Sequence, residues 1–247
     1  MKDEWKLESV PLKALSELVD HVANQKSGKL YLYRGQNVDA PLLPKVAREY
    51  RTYDSTEAEK RVLSELRLHG HMLLDKQLDD WALLCIAQHH GAATRLLDWS
   101  TNPLVGLWMA LADRPAPSVK SVFVYVFEVE TDWILSNEDS PNPFEITRTR
   151  VLRPPLNNTR VAAQSGWFTA HRFSKPAQQR HAFIPLEKQS DYSEKLMRFV
   201  VPTAHRHAIL KQLDKLGVNA QTMFPGLEGL CKHMSWRYDC ELDDDVW

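Results

Sequence analysis

The residues that invite chemistry crowd into one run, HHGAATRLLDWSTNP, from His89 to Pro103. It holds two histidines, Arg95, Asp98, Trp99 and the triplet Ser100-Thr101-Asn102 beside apolar stretches that read as core. Adjacent side chains on a helix point about 100° apart, so His89 and His90 make a poor chelating pair, and no metal is expected. The simpler reading is one histidine buried and hydrogen-bonded, with the other exposed. Arg95 and Asp98 flank Leu96-Leu97 and could form an ion pair under the core or belong to a cleft. Trp99 could be core or could stack on a planar ligand. Ser100-Thr101-Asn102 before Pro103 is also an ordinary helix start. A second run, YRGQ, ends the apolar stretch LYLY (30–33) with Arg34, Gly35 and Gln36. There, an arginine beside a glycine can present its planar donor fork to a phosphate or carboxylate with no side chain in the way.

Other signatures are missing. The chain has no GxGxxG, no GxxxxGK[ST] and no GxSxG, so its sequence supports no Rossmann or P-loop cradle and no nucleophile elbow. A hydrolase using His89 or His90 as base therefore lacks a nucleophile of familiar context. A net charge of −1 gives no field for nucleic acid or an anionic membrane. Three scattered cysteines, without a CxxC pair, argue for a reducing compartment. The N-terminal MKDEWKLESV has no apolar core of a signal peptide, and no window approaches the roughly 18 apolar residues of a membrane span. A cytoplasmic protein is expected.

These residues need elements to hold them. Helical spacing predicts helices within 11–29, with Gly28 as stop, and over 56–75, capped by Ser55 or Thr56 with Val62, Leu66 and Leu73 on one face beside Leu63 and Leu74. Further helices are predicted over DDWALLCIAQHHG, ending at Gly91, and over NPLVGLWMALAD, with Pro103 in its first turn. SVFVYVFEVE (121–130) reads as a central strand, FIPL and RFVVP as further strands, and 136–158 as a Pro- and Asn-rich loop. TAHRHAILKQLDKLG predicts a last helix capped by Thr203, with Ile209, Leu213 and Leu216 inward and Gly217 as stop. A helical N-terminal half followed by strands favours an α+β fold over regular βαβ alternation.

The ordered motifs LYRGQ, AQHHGAATRLLDWSTNPLVGLWMA, RVAAQSGWF and GVNAQTMFPGLEGL resemble the FRG domain, with Tyr33 in the aromatic position of its (F/Y)RG signature. The resemblance spans about 30–230, one domain filling the chain behind a short N-terminal helical extension. It is distantly similar to the ADP-ribosyltransferase superfamily, which implies a central mixed or antiparallel sheet and NAD as substrate. In that pattern Arg34 ends the first core strand and anchors phosphate or ribose. Ser100 is the key hydroxyl after the second strand, and Gln164, or else Glu228, completes the catalytic set. Neither of the last two stands in an ExE or QxE pattern. Gln36, His90, Thr94, Arg95, Asp98, Trp99 and Trp167 are the further candidates for holding the nucleotide. His90 with Asp98 could also act as an acid–base pair.

The implied activity cleaves the nicotinamide–ribose bond and passes ADP-ribose to a macromolecular target or to water. A bacterial toxin or phage-defence effector would do this. The competing class is a non-catalytic module that recognises a nucleotide or a protein partner. Neither nucleic acid nor membrane is expected as partner, and the sequence leaves the oligomeric state open.

Overall fold

The computed structural model describes residues 7–49, 54–70, 74, 78–136, 142–154, 159–174 and 182–244. The chain begins with β1 (Glu8–Pro11), α1 (Leu15–Ala23), β2 (Leu30–Gln36), α2 (Lys45–Glu49), α3 (Thr56–Gly70) and α4 (Asp80–His89). There follow β3 (Leu96–Ser100), α5 (Pro103–Leu111), β4 (Ser121–Val129), β5 (Arg150–Leu152), α6 (Thr159–Ala163) and β6 (Gly166–Ala170). The last third holds β7 (Phe173–Ser174), β8 (Ala182–Phe183), α7 (Ser190–Ser193), β9 (Leu196–Pro202), α8 (Arg206–Lys215), α9 (Ala220–Met223) and α10 (Leu227–Asp244).

The fold is α+β. Seven strands form one mixed sheet in the order β1-β9-β4-β2-β3-β6-β5, with only β1–β9 parallel, and β7 and β8 pair separately. Four of the seven strands precede residue 130, so the expected helical N-terminal half is instead an interleaving of strands and helices. The short β1 and β3 escape a periodicity search because four or five residues carry too few alternations.

The continuous β-branched and aromatic run of β4 is buried on both faces, as its sequence predicts. On one face Val122, Val124, Val126 and Phe199 pack under α1, α5 and α8. On the other, Phe123, Tyr125 and Phe127 join Leu32, Leu97, Trp99, Trp133 and Tyr192. A third cluster packs α3 and α4 against Leu96, Leu152 and Phe168 of the three-stranded end. Helix α5 starts as expected, with Asn102 Oδ1 accepting from Leu104 N at 2.9 Å and Pro103 in the first turn.

Several expectations are corrected. Strand β2 runs on through Gln36, because seven registered pairs with β4 continue to Gln36↔Phe123, so Arg34 lies inside the strand. In α3 the inward face is Glu59 and Leu63, while Val62 is exposed; the buried Glu59 carboxylate receives Arg95. Asp54 takes the capping role there, its Oδ1 accepting from Thr56 N at 3.0 Å. Leu73 and Asp75 lie outside the described residues. Thr203 opens a 3-10 turn before α8 and donates to Lys120 O at 3.2 Å, and Leu216 is exposed. The 136–158 segment contains β5, and FIPL contributes only the end of β8.

Candidate functional site

Strands β2 and β3 share a single registered pair, Tyr33↔Ser100, against seven for β2–β4 and five for β3–β6. Beyond that pair the sheet splays open, leaving the Arg34–Gln36 edge without a neighbour strand on that side. The Arg34 side chain fills the gap. Its Nη1 donates to Asp98 O at 2.7 Å and lies 3.9 Å from Asp98 Oδ2, and its Nε donates to Gln36 Oε1 at 3.3 Å. Gln36 is itself anchored by Nε2 on Ala40 O at 2.9 Å. With only 13% of its side chain exposed, Arg34 has its pKa pulled down by burial, opposed by Asp98. An arginine still remains cationic at any working pH.

Gly35 has a different task from the one its sequence suggests. A Cβ there would run into the backbone of Gly106 and Ala110 in α5. The glycine therefore admits the helix against the strand, rather than clearing space for a ligand.

A cleft of about 600 Å³ opens at the splay, within the roughly 300–1,000 Å³ of small-molecule sites. Arg34, Asp98, Ser100, Gln164 and Trp167 line it, with Gln88, His89 and His90 from the end of α4, Met109 from α5 and Arg160 from α6. Gly91, with φ at 89°, ends α4 in the left-handed region and turns the chain away behind the histidines. His90 is exposed and His89 half-buried, their rings edge to face at 5.0 Å. Burial first, then Arg160 and His90, lower the His89 pKa, so its imidazole is neutral near pH 7. Among the described residues no three His, Cys, Asp or Glu side chains gather as a metal site.

The far wall is a tight turn. Ser165, with φ at 47°, is the one non-glycine residue in the left-handed region among those described. Such a backbone costs about 1–2 kcal/mol and needs its surroundings to hold it. Here β3 does so: Ser100 Oγ donates to Gln164 O at 2.7 Å, and Thr101 N donates to Ser165 O at 3.1 Å. Ser100 Oγ also accepts from Asn102 N at 2.9 Å. Gln164 Nε2 donates to Met223 O at 3.1 Å, which ties the wall to α9. Arg160 sits one turn before Gln164, with its guanidinium 4.4 Å over the Phe224 ring.

Other sequence candidates lie outside. Arg95 is 1% exposed and pairs with Glu59, Nη2 to Oε2 at 2.8 Å and Nε to Oε1 at 3.3 Å. Its Nη2 also donates to Thr56 Oγ1 at 3.1 Å, and the Phe144 ring covers the guanidinium at 4.5 Å. Of the two roles open to Arg95 and Asp98, an ion pair with each other does not form: the pairs are Arg95–Glu59 and Arg34–Asp98. Arg95 precedes β3 and meets Glu59 of α3, whereas Asp98 lies in the middle of the strand beside Arg34. Thr94 is buried and braces Gln88, donating to its Oε1 at 2.6 Å, while Gln88 Nε2 donates to Asp98 Oδ2 at 3.0 Å. Gln36 stands behind Arg34 rather than in the cleft wall. Trp99 touches the cleft, but its ring is core: 4% exposed, Nε1 donating to Thr169 Oγ1 at 3.0 Å. Glu228 lies on the exposed side of α10, and Lys232 at 2.7 Å lowers its pKa.

The FRG-domain family model matches residues 29–118. Over those residues the chain is similar to the FRG domain. The match runs from β2 through α5 and so takes in Arg34, the end of α4, β3 and the start of the α5 wall. Gln164 and Arg160 come from beyond it, as do β4, β5, β6 and β9 of the same sheet. No curated protein and no solved structure matches the chain. The cleft residues that sequence reasoning missed, Gln88 and Arg160, stand next to recognised motifs. Arg160 precedes Gln164 by four positions, the spacing that stacks side chains on a helix.

Proposed function

We propose that the cleft of this chain binds NAD and cleaves its nicotinamide–ribose bond, in the manner of an ADP-ribosyltransferase. The observation that carries this is the order of neighbours. Arg34 on β2, Ser100 on β3 and Gln164 before β6 come from three adjacent strands and line one cleft at the splay between the first two. Two arginines there suit a diphosphate, and a cleft with a half-buried Trp167 suits a flat ring.

The chemistry asks little of a protein. Nicotinamide leaves from a cationic pyridinium, and the transition state has oxocarbenium character on the ribose. Arg34 and Arg160 hold the diphosphate, and the backbone around Ser100 and Gln164 receives the nicotinamide ribose. The fixed donors of the walls meet the charge that develops in the transition state. ADP-ribose then passes to a protein target or to water. Action as a toxin or phage-defence effector in the cytoplasm belongs to the same proposal. Among the described residues no helix is long and apolar enough to cross a membrane.

One observation favours a second reading, a non-catalytic nucleotide- or protein-binding module. The third position is an amide, and both its side chain and the Ser100 hydroxyl are committed to backbone partners. Nicotinamide release from NAD, followed by chromatography, separates the two. Catalysis predicts release that falls sharply in Arg34→Ala, together with an NAD-dependent rise in melting temperature in the wild type. Binding without release favours the module, and neither binding nor release refutes both NAD readings.

A further inference from the structure

Oxocarbenium chemistry is helped by a carboxylate close to the ribose, and neither residue suggested by sequence supplies one. Gln164 is neutral and bonded to Met223 O, and Glu228 is engaged with Lys232 on the outside of α10. Glu59 is sealed against Arg95 behind β3. Among the described residues that line the cleft, one carboxylate stands: Asp98.

We infer that Asp98 is the catalytic carboxylate of the cleft and that it directs the reaction to water. This rests on the cleft being the NAD site. Strand alternation sets Asp98 on the same face of β3 as Ser100, two residues away. Its Oδ2 is held by Gln88 Nε2 at 3.0 Å, and Gln88 is in turn fixed by Thr94, so the carboxylate is oriented from behind. Arg34 contacts the Asp98 backbone carbonyl, which ties the phosphate-binding cation and the carboxylate into one unit. The Asp98 side chain is nevertheless 60% exposed, so water reaches it, and His90 stands at the same rim.

In the step so defined, the C1′–N1 bond breaks and its electron pair leaves with neutral nicotinamide. Asp98 stabilises the positive charge that develops on the ribose. A water oxygen then bonds to C1′ and gives its proton to the Asp98 carboxylate, which passes it to solvent. The products are nicotinamide, ADP-ribose and one proton. No redox partner is needed.

The test is steady-state nicotinamide release by wild type and Asp98→Asn, with NAD binding measured by calorimetry and melting temperature recorded for each. Asp98→Ser replaces Asp98→Asn if the latter does not fold. Loss of a preorganised charge at a transition state predicts a fall in kcat of about a hundredfold or more, with KM changed less than threefold. Free ADP-ribose should account for the nicotinamide released. A variant that keeps its kcat, or loses only in KM as a mere support of Arg34 would, overturns the inference and leaves the NAD site standing. So does wild type that binds NAD but releases nothing, or whose ADP-ribose ends on protein. Wild type that does not bind NAD overturns both.

Discussion

Replacing Glu59 by alanine strips the buried Arg95 of its counter-charge. Both side chains are nearly sealed, at 1% and 2% exposure, and Glu59 accepts from Arg95 Nη2, Nε and backbone N at 2.8, 3.3 and 2.8 Å. What stays near the guanidinium is Thr56 Oγ1, a long contact to Pro143 O at 3.4 Å and the Phe144 ring, none of them charged. Uncompensated buried charge of this kind costs about 3–5 kcal/mol. For a chain of this size each kcal/mol moves the melting temperature by about 2–4 °C, so a fall of roughly 6–20 °C is expected. Urea unfolding followed by circular dichroism gives the free energy, and scanning calorimetry gives the midpoint. The double variant Glu59→Leu/Arg95→Met should recover much of the loss, because removing both charges removes the desolvation cost. A loss below about 1 kcal/mol, or a double variant worse than the single, refutes this account of the pair. Normal stability in Arg95→Met with loss of NAD binding would return Arg95 to the nucleotide site.

Three further outcomes are expected. Gly35→Ala drives a methyl into the backbone of α5, where no flexible side chain can yield; the unfolding free energy from urea titration should fall by about 3 kcal/mol, at the upper end of overpacking costs, and a neutral result would mean the helix stands off the strand. Burial, then Arg34, pushes the His171 pKa down to about 3, while the unfolded chain takes up its proton near pH 6.5. That stability is present above about pH 6.5 and declines by about 1.4 kcal/mol per pH unit as pH falls toward 3. Wild type should therefore lose stability to acid more steeply than His171→Gln, and parallel curves would show the ring is not held neutral. Glu228→Gln removes only an exposed ion pair with Lys232; stability and NAD handling should match wild type, and a loss of turnover would restore Glu228 to the site.

What could be read from the sequence was local. The β4 run and the Asn102-Pro103 start of α5 announce themselves by composition or order, the resemblance to the FRG domain singles out Arg34, Ser100, Gln164 and Trp167, and all four of those residues line the cleft. What could not be read depends on partners distant in sequence. Arg95 finds Glu59 thirty-six positions earlier, and no spacing rule connects them. Gly35 looks like ligand clearance until α5 is seen lying on it. Trp99 reads as either core or a stacking platform until Thr169 takes its indole N–H. The cleft itself comes from pairing that fails after Tyr33↔Ser100, a property of two strands together.

Hydrogen–deuterium exchange with and without NAD tests the central claim most directly. Occupation of the splay predicts slower exchange in three separated stretches at once, 33–36, 98–102 and 160–168, with Arg34→Ala abolishing all three effects. Protection confined elsewhere, such as α8 and α10, or no protection at saturating NAD, would contradict the assignment of this cleft as the nucleotide site.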